Sequence, residues 1–234
     1  MVVSNIIQNI KFKEDKSVEK HDKKAVVSIF RITLFDTDVN VSLGKVNTSL
    51  YNDIYFAPVY LILNENVQID FSAIAKGWGV DRVSLFLNDQ GFENYLVEVG
   101  GEIRVAGVNN FNSEWSLGIF KPEDSTSELY TTITISDLAV ATSGSYNNYF
   151  ILENTNYSHI INPQIGYPIK HDLVSATVIA DDCATADAIA TAVMVKGFNL
   201  GLEWINSLPD IECLLVKAND SGSYITGKSS GFNY

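Results

Sequence analysis

The sequence predicts an α+β fold with mostly antiparallel sheets and packed helices, and two observations support this class. Short runs of alternating apolar and polar residues follow one another through turns, as at 94–107, where Gly100-Gly101 separates two such runs. A glycine pair in that position is a strong indication of a β-hairpin. Two longer stretches predict helices: 73–89 has Val80, Val83 and Leu87 on one face and is followed by Gly91, and 184–196 is closed by Gly197. Strands joined by hairpins, with helices packed on them, are typical of α+β proteins.

The remaining elements follow from the same patterns in chain order. Residues 26–43 predict a hairpin, and 46–69 predict short strands and turns. A short helix is predicted over Leu200–Leu208, before Pro209, and a last hairpin spans 219–222. The other predicted strands cover 95–99, 103–105, 115–120, 131–135, 138–141 and 173–180.

Composition limits the size of the fold and the kind of partner. A chain of 234 residues with 46% hydrophobic content can bury the core of one domain. We expect this domain to span 26–234, after a polar, lysine-rich arm over 1–25. The formal net charge is -12, which argues against nucleic acid and anionic membranes as partners. An acidic protein of this kind would need a metal ion in order to bind an anionic cofactor.

The cysteines and the amino terminus add no further site. Cys183 and Cys213 are too few to form a disulfide framework. No apolar run is long enough to span a membrane, and the first residues lack the apolar core and cleavage site of a signal peptide. We therefore expect a soluble, cytoplasmic protein.

The first candidate site lies at 69–81, with the sequence IDFSAIAKGWGVD. Its small residues would let a ligand approach the backbone closely, and the start of the following helix offers amide donors to an anion. Lys76 would add a positive charge for a phosphate. In the alternative interpretation, Asp70 or Ser72 caps the helix and Lys76 is solvated. The spacing alone leaves both interpretations open.

The second candidate site lies on the predicted helix at 184–196. Asp187 and Thr191 are four residues apart, which places them on one helical face with small alanines between them. Carboxylate and hydroxyl oxygens suit magnesium, which takes its other ligands from water and substrate phosphates. In the alternative interpretation, Asp187 favours the helix dipole and Thr191 bonds back to a carbonyl.

The third candidate is His159, which precedes a turn containing Pro163 and Gly166. The other two histidines, His21 and His171, lie in the polar arm and in a loop. A single histidine can be structural or catalytic, and the sequence leaves both roles open.

Taken together, five stretches resemble the ApbE family of FAD:protein FMN transferases. In the family's order they are IDFSAIAKGWGVD at 69–81, NYLVEVGGEIRVAG at 94–107, AVATSGSYNNYF at 139–150, YSHIINPQIGYPI at 157–169 and LVSATVIADDCATADAIATAVMVKG at 173–197. The agreement in order across 69–197 makes this a specific match. The resemblance implies an ApbE-like, T-fold-related catalytic domain.

The resemblance also implies an activity and a set of site residues. Magnesium-dependent transfer would move FMN from FAD to a threonine hydroxyl of a partner protein, such as a redox-complex subunit, with release of AMP. The metal ligands carried over by position are the backbone carbonyl of Ala73 and the side chains of Asp187 and Thr191. His159 would assist proton transfer. The residues expected to contact FAD or to line its cleft are Asp70, Lys76, Gly100, Gly101, Ser143 and Gly144.

Departures from the family pattern keep two other functions open. The usual His-Ile-Ile-Asp-Pro-Arg-Thr-Gly is altered here at Asn162, Gln164 and Ile165. Residues 1–45 lack the Gly-x-Phe-Asp motif of the flavin-binding region, so we expect this part to be incomplete. The alternatives are an FAD pyrophosphatase, which yields FMN and AMP, and a non-catalytic flavin-binding remnant. Family members are usually periplasmic or membrane-anchored lipoproteins, in contrast to the location expected from this sequence.

Overall fold

The computed structural model describes residues 24–28, 54–56, 61–63, 70–122, 128–145, 149–152, 155–219 and 223–233. It confirms the α+β class with mostly antiparallel pairing. The predicted arm at 1–25 and the hairpin at 26–43 lie outside the described residues, apart from one strand at Lys24–Ser28.

Fifteen strands and three helices make up the described part of the chain. The strands are β1 (Lys24–Ser28), β2 (Ile54–Phe56), β3 (Leu61–Leu63), β4 (Asn94–Val99), β5 (Glu102–Ala106), β6 (Trp115–Phe120), β7 (Leu129–Ile135), β8 (Ala139–Gly144), β9 (Tyr149–Leu152), β10 (Thr155–Ser158), β11 (Ile161–Asn162), β12 (Tyr167–Pro168), β13 (Leu173–Ala180), β14 (Glu212–Ala218) and β15 (Tyr224–Lys228). The helices are α1 (Ala75–Asp89), α2 (Cys183–Lys196) and α3 (Phe198–Asn206).

A seven-stranded sheet organises the fold. Its strands lie in the order β1-β4-β5-β8-β13-β14-β15. Strand β1 pairs with β4 in parallel, and the other neighbours pair antiparallel. The predicted Gly-Gly hairpin is the β4–β5 connection, in which Val99 lies opposite Glu102. Because β5 pairs with β8 rather than with β6, the intervening β6–β7 hairpin is free to leave the sheet.

The sheet is covered by helices on one face and by the β6–β7 hairpin on the other. Along β13, Val178 packs in the core that contains α2, whereas the next residue, Ile179, packs in the core that contains β6 and β7. This alternation follows from the two-residue period of a strand. A third cluster joins Val80 and Leu87 of α1 to the first strands of the sheet. The helical face is the one that holds the candidate site residues of α1 and α2.

Two helices differ from the prediction by two residues, α1 at its start and α3 at both ends. Helix α1 begins at Ala75 rather than at 73, because 72–74 form a turn and the amides of Ile74 and Ala75 both donate to the Phe71 carbonyl. Helix α3 covers Phe198–Asn206 rather than 200–208, because it follows Gly197, which also ends α2 with φ of 80°. No helix in the described part of the chain is long and apolar enough to cross a membrane.

Candidate active site

A cleft of about 550 Å³ gathers the candidate residues on the helical side of the sheet. It is lined by Asp70, Ser72, Ala73, Lys76, Gly100, Thr142, Ser143, Gly144, His159, Ile160, Ile161, Asp187, Thr191 and Val195. These include every residue predicted for the site except Gly101, which lies next to the lining and outside it. Residues as far apart in sequence as Asp70 and Val195 therefore meet in one place, as a shared catalytic or binding site requires.

The turn before α1 belongs to the cleft and does not cap the helix. The Asp70 carboxylate accepts hydrogen bonds from the backbone amide of Ser72, at 2.7 Å, and from the Ser72 hydroxyl. These bonds lower the pKa of Asp70. Helix α1 begins after Ile74 without a side-chain cap. The interpretation of Asp70 or Ser72 as a cap is therefore wrong, and both side chains remain at the cleft.

Asp187 is held in the cleft by a contact between the two long helices. Its side chain is 2% exposed, and its Oδ2 accepts a hydrogen bond of 3.0 Å from the Gly77 amide of α1. Burial raises the pKa of Asp187, while the Gly77 amide and the Lys76 ammonium lower it. The N-cap of α2 is Asp182, which accepts from the Thr185 amide at 2.8 Å. Asp187 therefore does not stabilise the start of its own helix. The alternative interpretation, in which it favours the helix dipole, is wrong.

Thr191 is bound across the cleft to the sheet. Its hydroxyl lies 3.0 Å from the Ser143 hydroxyl at the end of β8. The interpretation of Thr191 as bonding back to a helical carbonyl is thus replaced by a bond to another element. This contact fixes the hydroxyl on the same side of α2 as Asp187.

The oxygen atoms at this end of the cleft fit a magnesium ion. Asp187, Thr191 and Ala73 all line the cleft, and they can offer a carboxylate, a hydroxyl and a backbone carbonyl. In the described part of the chain, Gly77 is the one hydrogen-bond donor to Asp187, so Oδ1 remains for a ligand. No group of three or more His, Cys, Asp or Glu side chains arranged for a metal occurs among the described residues. A metal held through one carboxylate is typical of magnesium, which keeps waters and binds phosphates.

Lys76 lines the cleft and forms an ion pair that the sequence did not predict. Its ammonium contacts Oε1 of Glu102, the first residue of β5. The Lys76 side chain is 45% exposed, whereas Glu102 is 1% exposed. Burial raises the pKa of Glu102 to about 7, although Lys76 lowers it. Glu102 lies one residue before the predicted strand at 103–105, so the sequence pattern did not indicate that it is buried.

Asp81 is a second residue whose role the sequence did not predict. Its carboxylate accepts from the Cys183 and Ala184 amides at 3.0 and 2.8 Å, and from Arg104 at 2.7 Å. The side chain thereby joins α1 to the first turn of α2 and to β5. Asp81 belongs to the first family stretch, but nothing local in the sequence indicates a partner 102 residues away.

The turn after His159 is closed by hydrogen bonds to Asn162, one of the residues that differ from the family pattern. The Asn162 side chain accepts from the Gln164 amide at 2.9 Å, and the Asn162 carbonyl accepts from the Gly166 amide at 2.8 Å. An asparagine can make this side-chain turn as an aspartate does. His159 is exposed and lines the cleft.

Comparison with known proteins identifies the family. The model of the ApbE family matches residues 3–215. The chain belongs to the ApbE family. The match begins well before the first of the five ApbE-like stretches, and it covers most of the chain.

Individual ApbE relatives resemble the chain in sequence and in structure. The FAD:protein FMN transferase of Vibrio cholerae serotype O1 is 44% identical over 154 residues, which cover 66% of this chain and 46% of that protein. The FAD:protein FMN transferase of Haemophilus influenzae is 33% identical over 212 residues, covering 90% and 56%. The solved flavin transferase ApbE from Vibrio cholerae superposes with a TM-score of 0.69 at 37% identity, over 79% of this chain and 59% of that one. The chain spans about half the length of the curated relatives it matches.

Proposed function

We propose that this ApbE protein transfers FMN from FAD to a threonine hydroxyl of a partner protein, with magnesium, and releases AMP. One observation carries the proposal: a single cleft is lined by the Asp187 carboxylate, the Thr191 hydroxyl, the Lys76 ammonium and the His159 imidazole. The names of the relatives, FAD:protein FMN transferase and flavin transferase, support a flavin substrate and a protein acceptor. We propose a threonine-bearing redox-complex subunit as that acceptor.

The proposed reaction exchanges one phosphorus–oxygen bond for another. The threonine oxygen bonds to the phosphorus on the FMN side of the pyrophosphate, and the bond from that phosphorus to the bridging oxygen breaks. AMP leaves with the electron pair, and the hydroxyl proton passes to a base. His159 is the candidate base because its exposed imidazole lines the cleft. General base catalysis of this kind contributes ~10²–10⁴-fold.

The other lining residues bind and orient the substrate. Asp187, Thr191 and the Ala73 carbonyl would hold the magnesium ion, which neutralises charge on phosphate oxygens when it is bound. The Gly77 amide orients Asp187, and the Ser143 hydroxyl orients Thr191. Lys76 places a positive charge at the wall of the cleft. In a chain of net charge -12, such local positive charge is needed where an anionic pyrophosphate binds.

Product analysis tests this proposal. The chain is incubated with FAD, magnesium and a candidate acceptor subunit, and AMP is measured by chromatography. We expect AMP release to require both the metal and the acceptor threonine. His159→Ala should lower the rate by about 10²–10⁴-fold. The control His171→Ala should keep the rate, because His171 bonds the Met194 carbonyl at the end of α2, outside the cleft.

The same measurement separates the two alternatives. Release of AMP and free FMN at an equal rate without any acceptor would favour an FAD pyrophosphatase. Failure of the chain to bind FAD at all would favour a non-catalytic remnant. A third variant, Asp187→Asn, tests the metal site, because an amide is a much poorer magnesium ligand than a carboxylate. Rates equal to those of the unmodified chain in that variant would contradict the assignment of Asp187.

A further inference from the structure

Glu102 is a buried carboxylate directly behind the wall of the cleft. It follows the Gly100-Gly101 turn and is 1% exposed. One of its oxygens contacts the Lys76 ammonium, and the other, Oε2, has no hydrogen-bond partner among the described residues. A buried carboxylate is costly unless it is paired and hydrogen-bonded. Its contact with Lys76 is therefore the interaction that stabilises the ionised form at this position.

The Lys76 side chain passes the neighbouring turn before it reaches this carboxylate. A Cβ atom at Gly100 would lie 3.4 Å from Lys76 Cδ, which is van der Waals contact. The lysine stem thus runs along the bare backbone of the turn between α1 and Glu102. A lysine side chain carries about 2 kcal/mol of rotamer entropy. Without an ion-pair partner, its ammonium would therefore sample many positions. The pair confines the ammonium to one of them.

We infer that Glu102 is a positioning residue for the proposed transfer, and that its carboxylate holds the Lys76 ammonium at the wall of the cleft to meet the substrate pyrophosphate. This inference rests on the function proposed above. Glu102 lies behind the lining residues, so it acts through Lys76. Preorganised charge is more effective than mobile charge, because little reorganisation is needed when the phosphate binds.

The charges around Glu102 agree with this role. Lys76 faces it from α1 and Asp187 influences it from α2, the first lowering and the second raising the pKa of Glu102. Asp81 of α1 and Arg104 of β5 pair with each other at 2.7 Å. Lys76 is therefore the cation that compensates Glu102, and removing it would leave two carboxylates near each other in a buried setting.

The pairing is tested first without any substrate. The protein is labelled with ¹³C in its glutamate carboxyl carbons, and the Glu102 signal, assigned with Glu102→Gln, is titrated by NMR. We expect Lys76→Met to move the Glu102 titration to higher pH, because the ammonium that favours the ionised carboxylate is gone. An unchanged titration in Lys76→Met would overturn the inference.

The role in binding is tested by a double-mutant cycle with FAD and magnesium. Glu102→Gln should weaken FAD binding about tenfold in the chain that has Lys76, which corresponds to about 1.4 kcal/mol. It should cause no further loss in the Lys76→Met background, because the residue through which it acts is absent. Equal weakening in both backgrounds, or none in either, would overturn the inference.

A matched variant controls for the loss of an ion-paired glutamate. Glu128 pairs with Lys121 at 2.6 Å on the exposed β6–β7 hairpin, away from the cleft. Glu128→Gln should leave FAD binding unchanged, and thermal unfolding of every variant checks that it is folded. If the unmodified chain binds no FAD while the NMR shift is present, the proposed function fails and the Glu102–Lys76 pairing stands.

Discussion

Gly77 of α1 packs directly against the start of α2, and a side chain at this position would collide with Cys183 and Asp187. A Cβ atom at this position would overlap the Cys183 carbonyl and lie 2.8 Å from the Asp187 Cβ. The Gly77 amide also donates to Asp187. One glycine therefore both makes room for the candidate metal ligand and orients it.

Gly77→Ala should destabilise the protein and disturb the site together. The added methyl must push the helices apart, and overpacking of this kind costs about 1–3 kcal/mol. Urea denaturation measures the free energy of unfolding, and AMP release measures the effect on Asp187. The matched control is Gly79→Ala, because a Cβ at Gly79 meets no atom within 4 Å and alanine favours a helix by up to about 1 kcal/mol. Equal effects of the two substitutions would contradict this account of Gly77.

Glu102 should make the stability of the protein depend on pH near neutrality. Its pKa rises from 4.5 to about 7 on folding, so between these values the native state keeps a proton that the unfolded state has lost. The free energy of unfolding should therefore fall as the pH rises from about 5 through 7, by on the order of 3 kcal/mol.

In Glu102→Gln, the fall in the free energy of unfolding as the pH approaches 7 should be lost. In Glu128→Gln, it should be as large as in the unmodified protein. The raised pKa of Asp187 adds a change of the same sign, so some decline remains in both variants. Urea denaturation at several pH values measures it. If the free energy of unfolding depends on pH identically in Glu102→Gln and in the unmodified protein, folding does not raise the pKa of Glu102.

Among the elements, α2 depends on α1 for the position of its first turn. The Asp81 carboxylate accepts from two amides at the start of α2, where a negative charge is favoured by the helix dipole. Asp81→Asn replaces one accepting oxygen by a donor and removes the charge beside Arg104. We expect a loss of about 1–3 kcal/mol in the free energy of unfolding, measured by urea denaturation.

The matched control is Asp89→Asn at the C-terminal end of α1. Asp89 is exposed and lies in the last turn, where a negative charge is unfavourable. Its replacement should be neutral or slightly stabilising. If Asp81→Asn behaves in the same way, the link between α1 and α2 does not depend on this carboxylate.

Some elements of the fold could be predicted from sequence patterns, whereas the contacts between elements could not. The β4–β5 hairpin was predictable because Gly100 and Gly101 lie between alternating runs, and the end of α2 was predictable because Gly197 stops the helix. The predicted site residues other than Gly101 line one cleft, and all of them belong to the stretches that resemble the family. The Lys76–Glu102 and Asp81–Cys183 contacts were not predictable, since they depend on how α1 packs on β5 and α2. The parallel pairing of β1 with β4 is likewise a tertiary property.

At the scale of the whole molecule, the sheet brings distant segments to one cleft on its helical face. The first and last predicted site residues, Asp70 and Thr191, both line it. The opposite face is covered by the β6–β7 hairpin and contributes no lining residue among those described. One face of the sheet therefore packs in a hydrophobic core with the β6–β7 hairpin, and the other face holds the candidate active site.

The most direct test of the proposed function is the location of FMN after the reaction. The chain, FAD, magnesium and an acceptor subunit are incubated, and the digested acceptor is analysed by tandem mass spectrometry. We predict FMN linked through its phosphate to a single threonine, and no such product when that threonine is replaced by alanine or when Asp187→Asn is used. An unmodified acceptor, with FAD bound and the protein folded, would contradict the account.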